Sequence, residues 1–236
     1  MKALRSIIKK AFAVLGYEIQ RSSEKPEGLR MDYPTIAKFS YYRRIFDMIK
    51  DIDGDIVECG VAAGNSLLLF AFLAKEEMKG RKIWGFDSFE GFPAPSKQDN
   101  SMRNPQRGQY GDTSIQVVRQ LLINSGLDKE FVTSQITLVK GFFNESLRKY
   151  TGDSIALLHL DVDLYDSYLT SLKELYPKVA IGGAVLFDEY LNGFEQLFWP
   201  GAQEAIDEYF KDEKSVILRD KIKGKYYLIK SENSVA

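Results

Sequence analysis

Four acidic residues in this sequence stand where they are free to do chemistry rather than hold a fold together. Asp161 and Asp163 follow the apolar run Ile155–Leu160, and Asp188 and Glu189 follow Gly183–Phe187, with one helix's worth of residues between the runs. Both runs read as buried parallel strands, so the intervening segment is the crossover of a β-α-β unit and the two acidic pairs reach one edge of a sheet. Open α/β sheets bind ligands at that carboxyl edge. Carboxylate oxygens gathered there can ligate a hard divalent cation or take a proton from a hydroxyl.

Two further acids sit beside earlier strand ends. Glu58 precedes the turn Gly60-Val61-Ala62-Ala63-Gly64, after which a helix opens at Asn65 or Ser66. The glycines permit unusual dihedrals and close approach of a ligand to the backbone, and Asn65 or Ser66 can cap the helix. A carboxylate at Glu58 suits a cationic amine better than a pyrophosphate, and the Gly-x-Gly-x-x-Gly pattern of nicotinamide dehydrogenases is missing. Asp87 closes the run Lys82–Phe86, about 20 residues beyond the turn, where nucleoside-binding α/β sites place the carboxylate that accepts from ribose hydroxyls. A tight strand-to-helix turn and an Asx turn are the purely structural readings of the same residues.

Holding these residues at one edge requires a doubly wound sheet, and the chain alternates accordingly. After a helical stretch from Pro34 to about Lys50 come strand 55–59, helix 65–78, strand 82–87, a long loop 88–112, helix 113–125 and strand 136–140. A short helix near 144–150, strand 155–160, helix 166–179 and strand 183–188 follow. A helix around 201–211 and strands 216–219 and 226–230, joined by a short connection as an antiparallel hairpin, complete the pattern. The expected fold is therefore α/β, a mostly parallel seven-stranded Rossmann-like sheet with helices on both faces, in one domain spanning 35–236. Its loop 88–112 exceeds ordinary connections and reads as a lid, with Lys97, Arg103 and Arg107 as cations for a polar or anionic acceptor. Tyr190, Phe194, Phe198 and Trp199 read either as an acceptor wall or as core, and His159 as a buried, hydrogen-bonded core residue.

Lys and Arg total 32 against 33 Asp and Glu in 236 residues, and no basic, aromatic-interleaved stripe is present, so nucleic acid is not the expected partner. The single cysteine, Cys59, excludes an intramolecular disulfide and fits a reducing, cytoplasmic setting. Residues 1–34 read as a cationic amphipathic helix, with Leu4, Ile7, Ile8, Ala11, Val14 and Leu15 on one face, followed by an arm. Docking of that helix on its own domain or in a homo-oligomer is the first reading, and contact with a membrane surface the second.

Four motifs taken in order resemble the macrocin and mycinamicin sugar O-methyltransferases, a family of class I methyltransferases dependent on S-adenosylmethionine. They are Asp55-Ile-Val-Glu-Cys-Gly-Val61, Phe86-Asp-Ser-Phe-Glu-Gly-Phe-Pro93, Val139-Lys-Gly-Phe-Phe-Asn-Glu-Ser-Leu147, and His159-Leu-Asp-Val-Asp-Leu-Tyr-Asp-Ser167 continuing through Leu175-Tyr-Pro-Lys178 to Asp188-Glu-Tyr190. The resemblance implies that Glu58, Cys59, Gly60, Val61, Gly64, Asn65 and Ser66 surround the methionine part of S-adenosyl-L-methionine. It further implies that Asp87, with Ser88 beside it, holds the ribose, and that Gly141 and Phe142 lie along the adenine. It implies a divalent metal, usually Mg²⁺, on Asp161, Asp188 and Glu189, a donor set suited to hard cations. Asp161, also beside the cofactor, is the first candidate for general base and Asp163 the second. Val162 stands where many relatives have Gly, and Glu189 where they have a second Asp. The acceptor implied is a hydroxyl of a sugar or polyol on a small molecule. A catechol acceptor and a non-catalytic cofactor-binding module are the alternatives.

Overall fold

The computed structural model describes residues 32–191, 197–211 and 217–232. The amphipathic helix expected before residue 20 lies outside the described residues, as do Phe194 and Val216. One sheet organises the rest. Its strands are β1 (Asp55–Cys59), β2 (Ile83–Asp87), β3 (Ile136–Lys140), β4 (Ile155–Leu160), β5 (Val179–Phe187), β6 (Ile217–Arg219) and β7 (Tyr226–Ile229), in the spatial order β3-β2-β1-β4-β5-β7-β6. Pairs from β3 to β5 are parallel, while β7 runs antiparallel to both β5 and β6. The terminal hairpin expected from the sequence is thus in place at one side.

Helices cover both faces. On one, α1 (Tyr33–Met48) begins where the Asp32 carboxylate accepts from the Thr35 N–H at 3.0 Å, an N-cap, with Pro34 in the first turn. It buries the stripe Ala37, Tyr41, Tyr42, Ile45 and Phe46 against α2 (Asn65–Glu77) and the β1 and β4 side chains Ile56 and Leu157. Further along come α3 (Ile115–Asn124) and α4 (Lys129–Gln135). On the other face, α5 (Phe143–Ser146), α6 (Tyr165–Leu175) and α7 (Pro200–Tyr209) pack with Val57, Leu158, Phe187 and Trp199 into a second core. Every residue of β4 is buried, as a central parallel strand requires. Among the described residues, no helix is long and apolar enough to cross a membrane.

Two elements differ from the sequence expectation. Helix α4 lies where no element is expected, although Asp128 supplies its signal by accepting from the Phe131 N–H at 2.7 Å. Strand β5 begins at Val179 rather than at 183, because Pro177 ends the preceding helix in a 3-10 turn. The strand then bulges: its partners jump from Ile155↔Val179 to Leu157↔Ala184, with Gly182 at φ +82° inside the bulge.

Behind the sheet, at the amino ends of the strands, one buried guanidinium ties the start of the fold. Arg81 donates to the carbonyls of Ile52 (2.7 Å), Gly54 (2.9 Å) and Ile49 (3.0 Å) and pairs with Glu77 at 2.7 Å. Removing it strands three carbonyls and one carboxylate in a poorly hydrated place. We expect Arg81→Met to lose about 3 kcal/mol of unfolding free energy in urea denaturation; a loss within error of zero would show that water replaces the guanidinium.

Candidate active site

The carboxyl ends of β1, β2, β4 and β5 meet through their main chains. Gly60 donates to the Phe86 carbonyl at 2.9 Å, Asp161 to Cys59 at 3.1 Å and Asp188 to Leu160 at 3.0 Å, which continues the sheet one residue past each strand. A Cβ at Gly60, whose φ is +87°, would lie 1.8 Å from the Asp161 carbonyl oxygen, so only glycine fits there. Past these ends the backbone turns sharply: Ala62, Phe89, Asp163 and Leu191 all have φ between +45° and +58°. Left-handed backbone at four neighbouring strand ends is the kind of strain that collects at functional sites.

A cleft of about 930 Å³ opens along this edge. Gly60, Val61, Asn65, Ser66, Asp87, Ser88, Gly141 and Phe142 line it, and so do Asp161, Asp163, Asp188 and Glu189. Three residues assigned to the cofactor from sequence do not. Cys59 is wholly buried in the second core, a Cβ at Gly64 would lie 2.9 Å from Val118, and Glu58 is buried against His159. Asp87 makes the Asx turn that is its structural reading. Its Oδ1 accepts from the Phe89 N–H at 2.6 Å, the Asx turn, while Oδ2 accepts from the Ala62 N–H at 2.8 Å and so pins the glycine turn. A carboxylate has lone pairs left after two such bonds. The α2 helix starts at Asn65 with Gly64 at its N-cap and no side chain capping it, which leaves first-turn N–H groups without an intrahelical partner.

At the other end of the cleft the acids crowd together. Asp188 receives the Lys225 ammonium at 2.9 Å on Oδ2 and 2.6 Å on its carbonyl. Burial alone would raise its carboxyl, but Lys225 and Lys38 reverse this and hold it at about 2. Burial and the charge of Asp188 push Asp161 up to about 7. Burial with the same neighbours drives Asp163 and Glu189 well above the carboxylate range. Glu189 is buried at the cleft wall, its Oε2 accepting from the Tyr168 hydroxyl at 2.6 Å and the Asp163 N–H at 3.3 Å.

His159, Asp161 and Asp188 place potential ligand atoms within 4.8 Å of one another. The two ring nitrogens of His159 are already engaged, Nδ1 with Glu58 Oε1 at 3.0 Å and Nε2 with the Tyr42 hydroxyl at 3.3 Å. Burial lowers the imidazole to about 3, and the ring is the buried, hydrogen-bonded core residue the sequence indicated. Two cleft-lining carboxylates remain, and their oxygen chemistry fits a hard cation.

The loop 88–112 is fastened. Its two sides cross where Gly108 donates to the Phe92 carbonyl at 2.9 Å and Phe92 to that of Gln109 at 3.0 Å. From its middle, the buried Asp99 accepts from the Tyr165 N–H at 2.8 Å, inside the first turn of α6. Phe92 packs edge-on to Trp199, and the Arg103 guanidinium lies 5.2 Å from the Trp199 ring centroid. Trp199 lines the cleft, whereas Tyr190 belongs to the core. Sequence reasoning misses Lys38, Asp99 and Lys225, because each acts on a strand or helix remote in the chain.

The model of the family described as macrocin-O-methyltransferase (TylF) matches residues 42–220. Demethyldecarbamoylnovobiocin O-methyltransferase of Streptomyces niveus is 32% identical over 180 residues, which make up 72% of this chain and 65% of the relative. The chain thus spans just under two thirds of that relative's length. Mycinamicin III 3''-O-methyltransferase of Micromonospora griseorubida is 26% identical over 194 residues, covering 75% of this chain and 72% of the relative. The crystal structure of CalS11, a calicheamicin methyltransferase, superposes with a TM-score of 0.73 at 25% identity, covering 85% of this chain and 80% of that one. The sheet order with its antiparallel β7 is that of the class I methyltransferase fold, and the chain belongs to the macrocin-O-methyltransferase family.

Proposed function

We propose that this protein transfers the methyl group of S-adenosylmethionine to a hydroxyl of a sugar or similar polyol on a small-molecule product. The observation that carries the reading is one cleft lined at one end by Gly60, Asp87 and Gly141 and at the other by Asp161, Asp163 and Asp188. The first set suits a nucleoside and the second a hydroxyl, and the relatives are named for O-methylation of natural products. The cofactor supplies a sulfonium methyl that leaves sulfur as its new bond to oxygen forms.

The chain's own residues divide the remaining work. Asp87, already held by two N–H groups, accepts from the ribose hydroxyls with its remaining lone pairs. Gly141 and Phe142 flank the adenine, and the turn at Gly60 receives the amino-acid end. Asp161 and Asp188 would hold a divalent cation such as Mg²⁺, which polarises and orients adjacent hydroxyls. Glu189, fixed by Tyr168 and the Asp163 N–H, keeps the two acidic pairs in register. Asp161 or Asp163 receives the proton of the acceptor hydroxyl. Trp199 and the fastened loop form the acceptor wall and exclude water from the sulfonium. A self-associating, cytoplasmic protein completes this reading, with residues 1–34 making the contact between copies.

Asp161→Asn is expected to lower kcat by roughly 10³-fold while S-adenosylhomocysteine binding, measured by calorimetry, stays close to wild type. Asp163→Asn sets the order of the two bases, and unimpaired turnover in both variants would remove them from the chemistry. Exhaustive dialysis against EDTA should abolish methyl transfer and Mg²⁺ restore it; full activity in chelator would discard the metal. Light scattering should give a mass above the 26.9 kDa of one chain, falling to the monomer when residues 1–34 are deleted. An unchanged mass after deletion would place the contact elsewhere.

A further inference from the structure

Lys38 has no part in the chemistry proposed above, yet it lines the same cleft. The other cations lining it, Arg103 and Arg107, come from the loop 88–112. Lys38 is therefore the cation presented by the wall that α1 builds against the glycine turn.

Its place is set by Tyr42, one turn further along α1. The Tyr42 ring lies 4.4 Å from that of Phe70 in α2, and its hydroxyl 3.3 Å from Nε2 of His159 in β4. From this anchor the half-buried Lys38 keeps its ammonium 5.8 Å from the Tyr42 ring centroid, in no ion pair with any described carboxylate. Its charge still reaches Glu58, Asp161 and Asp188 and draws their carboxyls downward. An ammonium facing acids without pairing to them leaves room for an anion between.

A second feature favours negative charge at this spot. The α2 helix is 13 residues long and begins without a side-chain cap, so its positive end is open where Asn65 and Ser66 line the cleft. Both call for an anion, and the carboxylate at the amino-acid end of S-adenosylmethionine is such a group.

We propose that Lys38 binds the carboxylate of the cofactor's amino-acid end, between α1 and the open start of α2. This rests on the methyltransferase reading, and the following measurement separates the two. Calorimetry on the full chain compares S-adenosylhomocysteine with 5′-methylthioadenosine, which shares the nucleoside and sulfur but lacks the amino acid. Lys38→Met should weaken S-adenosylhomocysteine roughly ten- to hundredfold, the worth of a charge-assisted bond. Binding of 5′-methylthioadenosine should not change, and Lys38→Arg should restore most of the loss. Equal weakening of both ligands, or none for S-adenosylhomocysteine, would overturn the role of Lys38 while leaving the cofactor in place. Failure of the wild-type protein to bind either ligand would bring down the cofactor reading itself.

Discussion

The approach of the β1 backbone to β4 at Gly60 sets the terms for everything at the carboxyl edge. With no room for a Cβ against the Asp161 carbonyl, the turn after β1 and the acidic end of β4 touch main chain to main chain. Any ligand held at the turn after β1 would lie directly beside the acids of β4. The neighbouring contacts propagate this constraint: Asp87 ties β2 to the turn through the Ala62 N–H, and Asp188 continues the ladder from β5 to Leu160. The cleft is thus a property of four strand ends at fixed register rather than of a flexible loop.

Charge is the second constraint. Four carboxylates near one another in a partly desolvated place cannot all ionise, and here their protonation is graded by local partners. Asp188, next to Lys225 and Lys38, keeps its charge, while Asp163 and Glu189 are driven toward the neutral form. Glu189 relies on hydrogen bonds from Tyr168 and the Asp163 N–H, which brace the cluster. Electrostatic strain of this sort is relieved by cations and hydroxyls, the two classes of group the acids are suited to receive.

Much of this was legible in the sequence because the relevant signals are local. An apolar run that ends in an acid marks a strand and its carboxyl end together, and β1, β2, β4 and β5 each carry that signature; the resulting alternation of strands and helices gives the sheet. What stayed hidden depends on contacts far apart in the chain. Glu58 reads as a cleft residue from its place beside the turn, but the pleat aims it at His159 and away from the ligand side. Lys38 adjoins the buried stripe of α1 and looks like an ordinary flank until α1 is laid across α2. The start of β5 is obscured by its bulge, whose Gly182-Gly183 pair imitates the turn before a strand. Asp99 sits in a loop, and only the packed fold shows that it serves the first turn of α6.

Lys225 gives the order of synthesis a meaning. The ammonium that balances Asp188 comes from the connection between β6 and β7, so it leaves the ribosome after every parallel strand of the sheet has already emerged. A nascent chain can pair β1 through β5 while its acidic edge still lacks the ammonium that bonds Asp188 directly. Docking of the last hairpin therefore does two things at once: it covers the open side of β5, and it brings the ammonium that bonds Asp188. Completion of the fold and delivery of the ammonium that bonds Asp188 become one event.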